Sequence, residues 1–367
     1  MLALPLNYFN GIVNKMRKAR LNILISLSIT IGFSLFIDVF IQLRCNQSQY
    51  LETLVSIEEN DAIQGLGKVH IGKQIDTRDR FWIYYDVLQS DFIKNGNDKR
   101  NDHFVTIVTQ TTENHLHALV ELCETWKGPV SVAVFVYGVD VYSALWKLAY
   151  YHLRVPKIKA KTTFHLVIIK HLTIDIALNL RKDVTVQSSS FINSNIEGFH
   201  YPYNLLRNVA LHRVRNGFVF MIDIDMLPSN GLHETFLDYI NHSSNITKYD
   251  RAHIVPAFEV RNESYIPKNK TQLLSYLQEN NAQSYAKMSC KTCQADTDFG
   301  LWTKIAPEKM RGFTISRQSS SYEPFYILHK SVYPKFDERF VGRGKNRISQ
   351  VSKTTFQHDL NKKWCVV

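Results

Sequence analysis

Cysteine is scarce in this sequence, and several patterns that would fix a function at once are missing. Five cysteines in 367 residues are too few for a fold that disulfide bonds hold together. The sequence has no internal repeat, no coiled-coil heptad and no glycine-rich loop of the kind that cradles phosphate groups. It also lacks a dense stripe of lysine and arginine with interleaved aromatic residues, which argues against a nucleic-acid-binding protein.

Two of the cysteines are separated by only two residues, in the segment Cys290-Lys-Thr-Cys293. This spacing is typical of zinc knuckles and redox sites, but no second Cys/His pair lies nearby to complete four zinc ligands. In an oxidising compartment a local disulfide bond explains the spacing better. We therefore predict a Cys290–Cys293 disulfide, with a metal or redox role as the alternative.

Basic residues outnumber acidic ones and give a net charge of +11. The first 44 residues account for +4 of this charge, which leaves +7 for the rest of the chain. A surplus of this sign favours anionic ligands, such as nucleotide sugars or acidic glycans.

The N-terminus carries a long apolar run from Leu21 to Leu43, directly after a cluster of four basic residues. The run is long enough to cross a bilayer core of about 30 Å. Because the basic cluster precedes it, the positive-inside rule places the following residues in the lumen. We predict a cytoplasmic tail over residues 1–20 and a transmembrane signal anchor over 21–43, with a cleaved signal peptide as the alternative.

Sequons for N-glycosylation support the luminal placement, although such tripeptides also arise by chance. There are five, at Asn46, Asn241, Asn245, Asn262 and Asn269.

Strands and helices alternate along the chain after a polar stretch that we assign to a luminal stem, residues 44–102. The predicted strands are Phe104–Thr109, Val130–Val136, Phe164–Ile169, Phe218–Ile222, His253–Phe258 and Phe325–Leu328, and the predicted helices are Leu116–Trp126, Val141–Tyr151 and Asn204–Arg213. This alternation predicts an α/β domain, residues 103–350, with a mainly parallel sheet flanked by helices.

One predicted strand, Phe218–Ile222, ends in two carboxylates, Asp223 and Asp225. Residues i and i+2 of an extended backbone share a face, so the two side chains project together. Carboxylate oxygens suit Mn²⁺ or Mg²⁺, and open α/β sheets bind ligands at the carboxyl ends of their strands. A bound cation also holds phosphate groups where no glycine-rich loop exists. The alternative is a solvated turn.

Eight sequence blocks between Phe104 and Gln350 carry a family resemblance. They are Val105-Thr-Ile-Val-Thr-Gln-Thr, Trp126-Lys-Gly-Pro-Val-Ser-Val-Ala-Val, Tyr201-Pro-Tyr-Asn-Leu-Leu-Arg-Asn, Ile222-Asp-Ile-Asp-Met-Leu-Pro-Ser, Val255-Pro-Ala-Phe-Glu-Val-Arg, Cys290-x-x-Cys-Gln-Ala, Tyr322-Glu-Pro-Phe-Tyr and Phe336-Asp-Glu-Arg-Phe-Val-Gly-x-Gly-x-Asn-Arg-Ile-Ser-Gln. In this order and at this spacing they resemble the glucuronyltransferases of glycosyltransferase family 49, to which the C-terminal domain of the LARGE-type xylosyl-/glucuronyltransferases is related.

The resemblance implies a GT-A fold in a Golgi membrane protein of type II with a luminal catalytic domain. It implies inverting, Mn²⁺- or Mg²⁺-dependent transfer of glucuronic acid from UDP-glucuronate to a glycan acceptor, such as the O-mannosyl glycan of dystroglycan. The expected partners are the UDP-sugar, a glycoprotein acceptor, the Golgi membrane and further glycosyltransferase subunits, with no nucleic acid. Two alternatives are a β-1,3-N-acetylglucosaminyltransferase that uses UDP-GlcNAc and a non-catalytic luminal binding partner.

The resemblance also suggests which residues bind the donor. Thr109, Gln110 and Thr111 end the first strand, where GT-A enzymes cradle the uridine, and an ordinary polar turn is the alternative. Asp223 is expected to face the ribose or the metal, and Asp225 the metal and the diphosphate.

Asn204 and Arg207 lie one turn apart on the helix that leads into the Asp-x-Asp strand. The guanidinium of Arg207 is suited to grip a sugar carboxylate or a phosphate through two hydrogen bonds. The alternative for Arg207 is an ordinary surface arginine.

Inversion in one displacement needs a carboxylate that takes the proton of the acceptor hydroxyl. The candidates are Asp337, Glu338 and Glu323, and each has a structural ion pair as its alternative, with Arg339 as an obvious local partner. Glu259 follows a predicted strand near the site and is a candidate for binding acceptor hydroxyls. For Glu259 an ion pair with a neighbouring arginine is the alternative.

The resemblance stops after Gln350, where the family continues with a histidine-containing motif that completes its metal site. Residues 351–367 are therefore expected to be a divergent tail, with His358 in solvent. Two carboxylates without a third protein ligand bind a metal more weakly, so reduced activity or a truncated product stays open.

Overall fold

A computed structural model describes eleven stretches of the chain. These are residues 73–75, 80–96, 104–136, 141–169, 200–242, 251–261, 266–307, 310–315, 319–340, 345–358 and 364–367, all within one unit that spans Val69–Val367. The predicted tail (1–20), the predicted membrane span (21–43) and the sequons at Asn46, Asn245 and Asn262 lie outside the described residues. None of the described helices has the length and apolar character that a bilayer crossing requires.

The described elements alternate between strand and helix through the first half of the unit. The strands are β1 (Lys73–Ile75), β2 (Phe81–Leu88), β3 (Val105–Thr112), β4 (Val130–Val136), β5 (Thr162–Ile169), β6 (Phe218–Met221), β7 (Ala252–Ile254), β8 (Phe258–Val260), β9 (Ala282–Ser284), β10 (Phe313–Ile315), β11 (Tyr326–His329) and β12 (Trp364–Val366). The helices are α1 (Asp91–Lys94), α2 (Ala118–Thr125), α3 (Val141–Arg154), α4 (Pro156–Lys161), α5 (Tyr203–His212), α6 (Leu232–His242), α7 (Lys270–Gln278), α8 (Phe299–Lys304) and α9 (Asn346–His358).

Ten of these strands form one sheet in the order β1-β2-β5-β4-β3-β6-β11-β7-β12-β10. The central strands β5, β4, β3 and β6 are parallel to one another. Towards the edges the pairs are antiparallel, except for the parallel pair of β12 with β7. The prediction of an α/β domain with a parallel core is confirmed, and the sheet is mixed at both flanks.

The central strands form because most of their residues are apolar or β-branched. Every residue of β3 and β4 is buried, as expected for parallel strands that are covered on both faces. Helix α5 packs against β3 and β4, and nine of its residues are buried. This helix reaches the sheet at the end where Asp223 follows β6.

Strand β2 corrects the predicted stem, because it lies inside residues 44–102 and yet belongs to the core. It pairs with β5 and buries four apolar side chains on the sheet, those of Phe81, Ile83, Tyr85 and Val87. The aromatic and β-branched residues of this segment explain why it forms a strand.

The predicted tail 351–367 also needs correction where it is described. Helix α9 runs through Gln350 to His358, and the side chain of Val351 is fully buried. Strand β12 then joins β7 to β10, and the Trp302 indole donates a hydrogen bond to the carbonyl of Val367 at 3.1 Å. This segment is therefore part of the fold.

Candidate active site

The register of β3 and β6 sets the position of the Asp-x-Asp pair. Val108 pairs with Met221, and the Ile222 N–H donates to the carbonyl of Val108 at 3.2 Å. Asp223 and Asp225 therefore leave the sheet beside the end of β3. This is the carboxyl edge of the parallel strands, where α/β proteins bind their ligands.

Asp223 is held by two arginines that approach from different elements. Arg207 of α5 donates to its Oδ1 at 3.1 Å, and Arg347 of α9 donates to its Oδ2 at 2.8 Å. Burial alone raises the pKa of Asp223, but the charges of Arg347 and Arg207 outweigh it and hold this pKa below its ordinary value. Each carboxylate oxygen of Asp223 thus accepts a hydrogen bond from an arginine, and the expectation that Asp223 faces the ribose or the metal stays a prediction.

The two donor-binding candidates on α5 are buried, which excludes a surface arginine at position 207. Arg207 is only 6% exposed, and burial lowers its pKa while the charge of Asp223 raises it. Its Nη1 is a buried donor without a hydrogen-bond partner in the described part of the chain. Asn204 donates through Nδ2 to the carbonyl of Asp337 at 2.7 Å, and its buried Oδ1 has no partner among the described residues.

Arg347 is a site residue that the sequence interpretation did not assign. It lies at the second position of α9, and its guanidinium sits 4.0 Å from the centroid of the Phe325 ring, a cation–π contact. The available signal was its place in the Asn-Arg-Ile-Ser-Gln block. Its partner Asp223 is 124 residues earlier in the chain, so no local pattern connects the two.

Glu323 is the half-buried carboxylate of this cluster. Glu323 precedes β11, which pairs antiparallel with β6, so it lies at the same edge of the sheet as Asp223. Burial raises the pKa of Glu323, and the charges of Arg347 and Arg207 oppose this rise. A carboxylate with a raised pKa is suited to accept a proton.

The disulfide loop fixes the backbone at Glu323. Cys290 and Cys293 are joined, with their Cα atoms 5.4 Å apart. The carbonyl of Cys293 accepts the Glu323 N–H at 2.8 Å, and the Gln294 amide donates to the Glu323 carbonyl at 2.7 Å.

The other two base candidates have structural partners. The Arg339 guanidinium donates to Asp337 at 2.6 Å and holds the pKa of Asp337 far below its ordinary value, which makes Asp337 a poor base. Glu338 accepts from the Asn208 amide at 2.8 Å. The ion-pair interpretation therefore describes Asp337, and Glu338 is an acceptor for α5.

Asp225 differs from Asp223 in being exposed and in making no ion pair with a described residue. The protein around its carboxyl group and the charge of Asp223 raise its pKa, and the charge of His115 lowers it slightly. The described residues contain no group of three or more histidine, cysteine, aspartate or glutamate side chains that would enclose a metal.

Most of the polar side chains at the end of β3 have hydrogen-bond partners within the protein. Gln110 accepts a hydrogen bond from the Tyr201 hydroxyl, and Thr111 donates to the carbonyl of Thr112 at 3.0 Å. The hydroxyl of Thr109 is buried without a hydrogen-bond partner in the described residues, so of the three predicted uridine contacts it is the one left with unused hydrogen-bonding capacity.

Glu259 on β8 accepts from the Gln283 amide and from the Ala286 N–H, both at 3.0 Å. Between these two residues lies Tyr285, whose pKa is raised by burial and responds to the charges of Arg347, Asp223, Asp225 and Glu259. The antiparallel pair of β8 and β9 thus holds Glu259 beside the segment that carries Tyr285, a residue that the sequence interpretation did not single out.

The chain is similar to known glycosyltransferases. A family model described as "Glycosyl-transferase for dystroglycan" matches residues 104–358. Beta-1,4-glucuronyltransferase 1 of Danio rerio is 32% identical over 304 residues, covering 76% of this chain and 69% of that protein. The protein of the same name in Homo sapiens is 28% identical over 296 residues, with 76% and 68% covered.

Two further similarities are more distant or partial. Xylosyl- and glucuronyltransferase LARGE2s of Gallus gallus is 27% identical over 316 residues, which cover 84% of this chain and 36% of that protein. Among solved structures, the crystal structure of S. aureus TarS 1-349 matches with a TM-score of 0.36 and 10% identity over 72% of this chain and 58% of that chain, which is too weak to support an argument about the fold.

Proposed function

The chain belongs to the family of glycosyl-transferases for dystroglycan and is a UDP-sugar-dependent glycosyltransferase of the glucuronyltransferase and LARGE type, and from this premise we propose that it transfers glucuronic acid from UDP-glucuronate to a glycan acceptor. We propose an O-mannosyl glycan of dystroglycan as the acceptor, and the support is that the family description names dystroglycan. The proposal includes a GT-A architecture and inversion at the anomeric carbon.

Glu323 is the residue we assign as general base. In a single displacement the acceptor oxygen bonds to the anomeric carbon of glucuronate while the bond from this carbon to the β-phosphate oxygen breaks. UDP leaves with the electron pair, and Glu323 receives the proton of the acceptor hydroxyl. The single observation that carries this assignment is the position of Glu323 just before β11, at the sheet edge where Asp223 follows β6 and where Arg347 contacts both Asp223 and Phe325.

Asp225 is the residue we assign to hold Mn²⁺ or Mg²⁺. A cation at this place would neutralise the charge that develops on the departing diphosphate. Asp223 has a different task, because it fixes Arg207 and Arg347 in place. Arg207, with its free Nη1 donor, is our candidate for binding an anionic group of the donor.

We further propose a single-pass type II protein of the Golgi membrane with its catalytic domain in the lumen. The support is the basic cluster before Leu21, the apolar run that follows it and the sequons. The Cys290–Cys293 disulfide agrees with an oxidising compartment.

A donor-comparison assay tests the proposed activity. The purified full-length protein is given UDP-glucuronate, UDP-GlcNAc or UDP-xylose with Mn²⁺ and a reducing-end-tagged oligosaccharide acceptor. We expect transfer from UDP-glucuronate at a rate at least tenfold above the other two donors. Transfer from UDP-GlcNAc alone would support the N-acetylglucosaminyltransferase alternative, and UDP binding without any transfer would support a non-catalytic partner.

A further inference from the structure

The first turn of α9 joins two segments that the proposed function uses. The Arg347 guanidinium donates to Asp223 Oδ2 at 2.8 Å and covers the ring of Phe325, which follows Glu323 by two residues. One turn of helix therefore joins the end of β6 to the segment that precedes β11.

The guanidinium of Arg347 is fixed on its other side. It lies 4.0 Å from the centroid of Phe325, two residues after Glu323, and its side chain is only 15% exposed. An arginine that is paired, stacked and largely buried keeps one conformation, so the spacing between Asp223 and Glu323 depends on it.

The charges around Glu323 come from three elements. Arg347 of α9 and Arg207 of α5 favour the ionised carboxylate, and Asp223 after β6 opposes it. Of these charges Arg347 has the largest influence. The N-terminal end of α9, a helix of 13 residues, adds a positive potential at the same place.

We propose that Arg347 is a positioning residue for the transfer reaction: through its bond to Asp223 and its contact with Phe325 it holds Asp223 and the backbone that carries Glu323 in one arrangement. This inference rests on the proposed function, in which Glu323 takes the acceptor proton. Arg347 acts through these two carboxylates and contacts no reacting atom in this account.

Two substitutions of Arg347 and one control on the same helix test the inference. All variants are made in the full-length protein. Arg347→Met removes the positive charge and the hydrogen-bond donors of the guanidinium, whereas Arg347→Lys keeps only the charge. The control Lys353→Met removes a cation that lies 3.9 Å from Asp337. The measurements are kcat and kcat/KM for the donor, each as a function of pH.

We expect Arg347→Met to lower kcat at least tenfold and to move the acid limb of the pH profile to higher pH. The sign follows because Arg347 lowers the pKa of Glu323, so its loss raises that pKa and the base is protonated up to a higher pH. Arg347→Lys should keep the acid limb near its position in the parent protein, with a kcat between those of Arg347→Met and the parent. Lys353→Met should change neither kcat nor the position of the acid limb.

A second measurement does not need turnover. Carbodiimide reacts with protonated carboxyl groups, so labelling of Glu323, followed by mass spectrometry across pH, reports its protonation in each folded variant. We expect the labelling midpoint to lie at higher pH in Arg347→Met than in the parent protein and in Lys353→Met. An unchanged midpoint, or a loss of rate with an unmoved acid limb, would overturn the inference. Absence of transfer by the parent protein would instead refute the proposed function, and the labelling would still decide the role of Arg347.

Discussion

Asp223 and Asp225 are separated by one residue, yet their surroundings shift the pKa of the two carboxyl groups in opposite directions. Two buried guanidiniums hold Asp223, whereas Asp225 is exposed beside it and makes no ion pair with a described residue. At the residue scale, Asp223 is therefore a structural carboxylate that holds two arginines, whereas Asp225 is an exposed carboxylate.

This division predicts different effects of the two asparagine substitutions. Asp223→Asn leaves Arg207 and Arg347 without a charged partner, so we expect a loss of about 1–3 kcal/mol in the free energy of unfolding. Asp225→Asn should leave the ligand-free melting temperature unchanged or slightly higher, because it removes repulsion with Asp223. Differential scanning fluorimetry of both variants without ligand measures this contrast.

The same experiment with UDP and Mn²⁺ supplies the control. The ligands should raise the melting temperature of the parent protein but not that of Asp225→Asn, since only binding to the native state stabilises it. Equal stabilisation of the parent and Asp225→Asn would show that this carboxylate does not hold the cation.

Sequence patterns predict some of these site residues and not others. The two aspartates stand at the end of a continuous apolar run, and that local pattern is enough to place them at the edge of the sheet. Glu323 could be named only as one of three carboxylates, because its burial arises in the folded protein. Arg347 could not be assigned at all, since its partner is 124 residues away.

The strands were likewise predictable from the sequence only in part. Strand β4 was predicted with its observed bounds, and β3, β5 and β6 with shifts of a few residues, because parallel strands covered on both faces contain near-continuous runs of apolar and β-branched residues. Strand β2 carries an equally apolar sequence but lies next to polar segments, which led to its assignment to the stem. Strand β12 has three residues and exists because β7 and β10 supply partners on both sides.

The disulfide loop gives a prediction at the scale of elements. Because the carbonyl of Cys293 accepts the Glu323 N–H, opening the loop should loosen the base without touching the donor site. We expect reduction of the Cys290–Cys293 bond to lower kcat several-fold with little change in KM for the donor. Steady-state kinetics before and after treatment with dithiothreitol measure this.

The matched control is the double variant Cys290→Ser, Cys293→Ser. It should show the lowered kcat from the start and should not respond to dithiothreitol. A parent protein whose kcat is unaffected by complete reduction, verified by alkylation of both cysteines, would argue against this link between the loop and Glu323.

At the scale of the whole molecule, the described sequons test the proposed luminal placement. Asn269 is exposed and caps α7, where its Oδ1 accepts the Gln272 N–H at 3.0 Å. An N-glycan is attached through Nδ2, so the cap and the glycan are compatible. We expect the full-length protein expressed in animal cells to carry an endoglycosidase-sensitive glycan at this position, visible as a gel shift.

The substitution Asn269→Asp is the sharpest control for this prediction. It removes the glycosylation acceptor but keeps a carboxylate oxygen for the helix cap, so one glycan should disappear while the melting temperature stays the same. A full-length protein without glycan that is fully accessible to protease outside sealed microsomes would contradict the luminal placement.

The central claim is that Glu323, in its cluster with Arg347 and Asp223, accepts the acceptor proton during glucuronyl transfer. Glu323→Gln keeps the shape of the side chain but removes the basic oxygen, and Asp337→Asn is the control because Asp337 is already paired with Arg339. The decisive measurement is the rate of glucuronyl transfer from UDP-glucuronate by both variants and the parent protein. We predict a loss of about 10²–10⁴-fold in kcat for Glu323→Gln, with UDP binding unchanged and Asp337→Asn within about threefold of the parent. A Glu323→Gln protein that transfers glucuronate at the parent rate, or a larger loss in Asp337→Asn, would contradict the account.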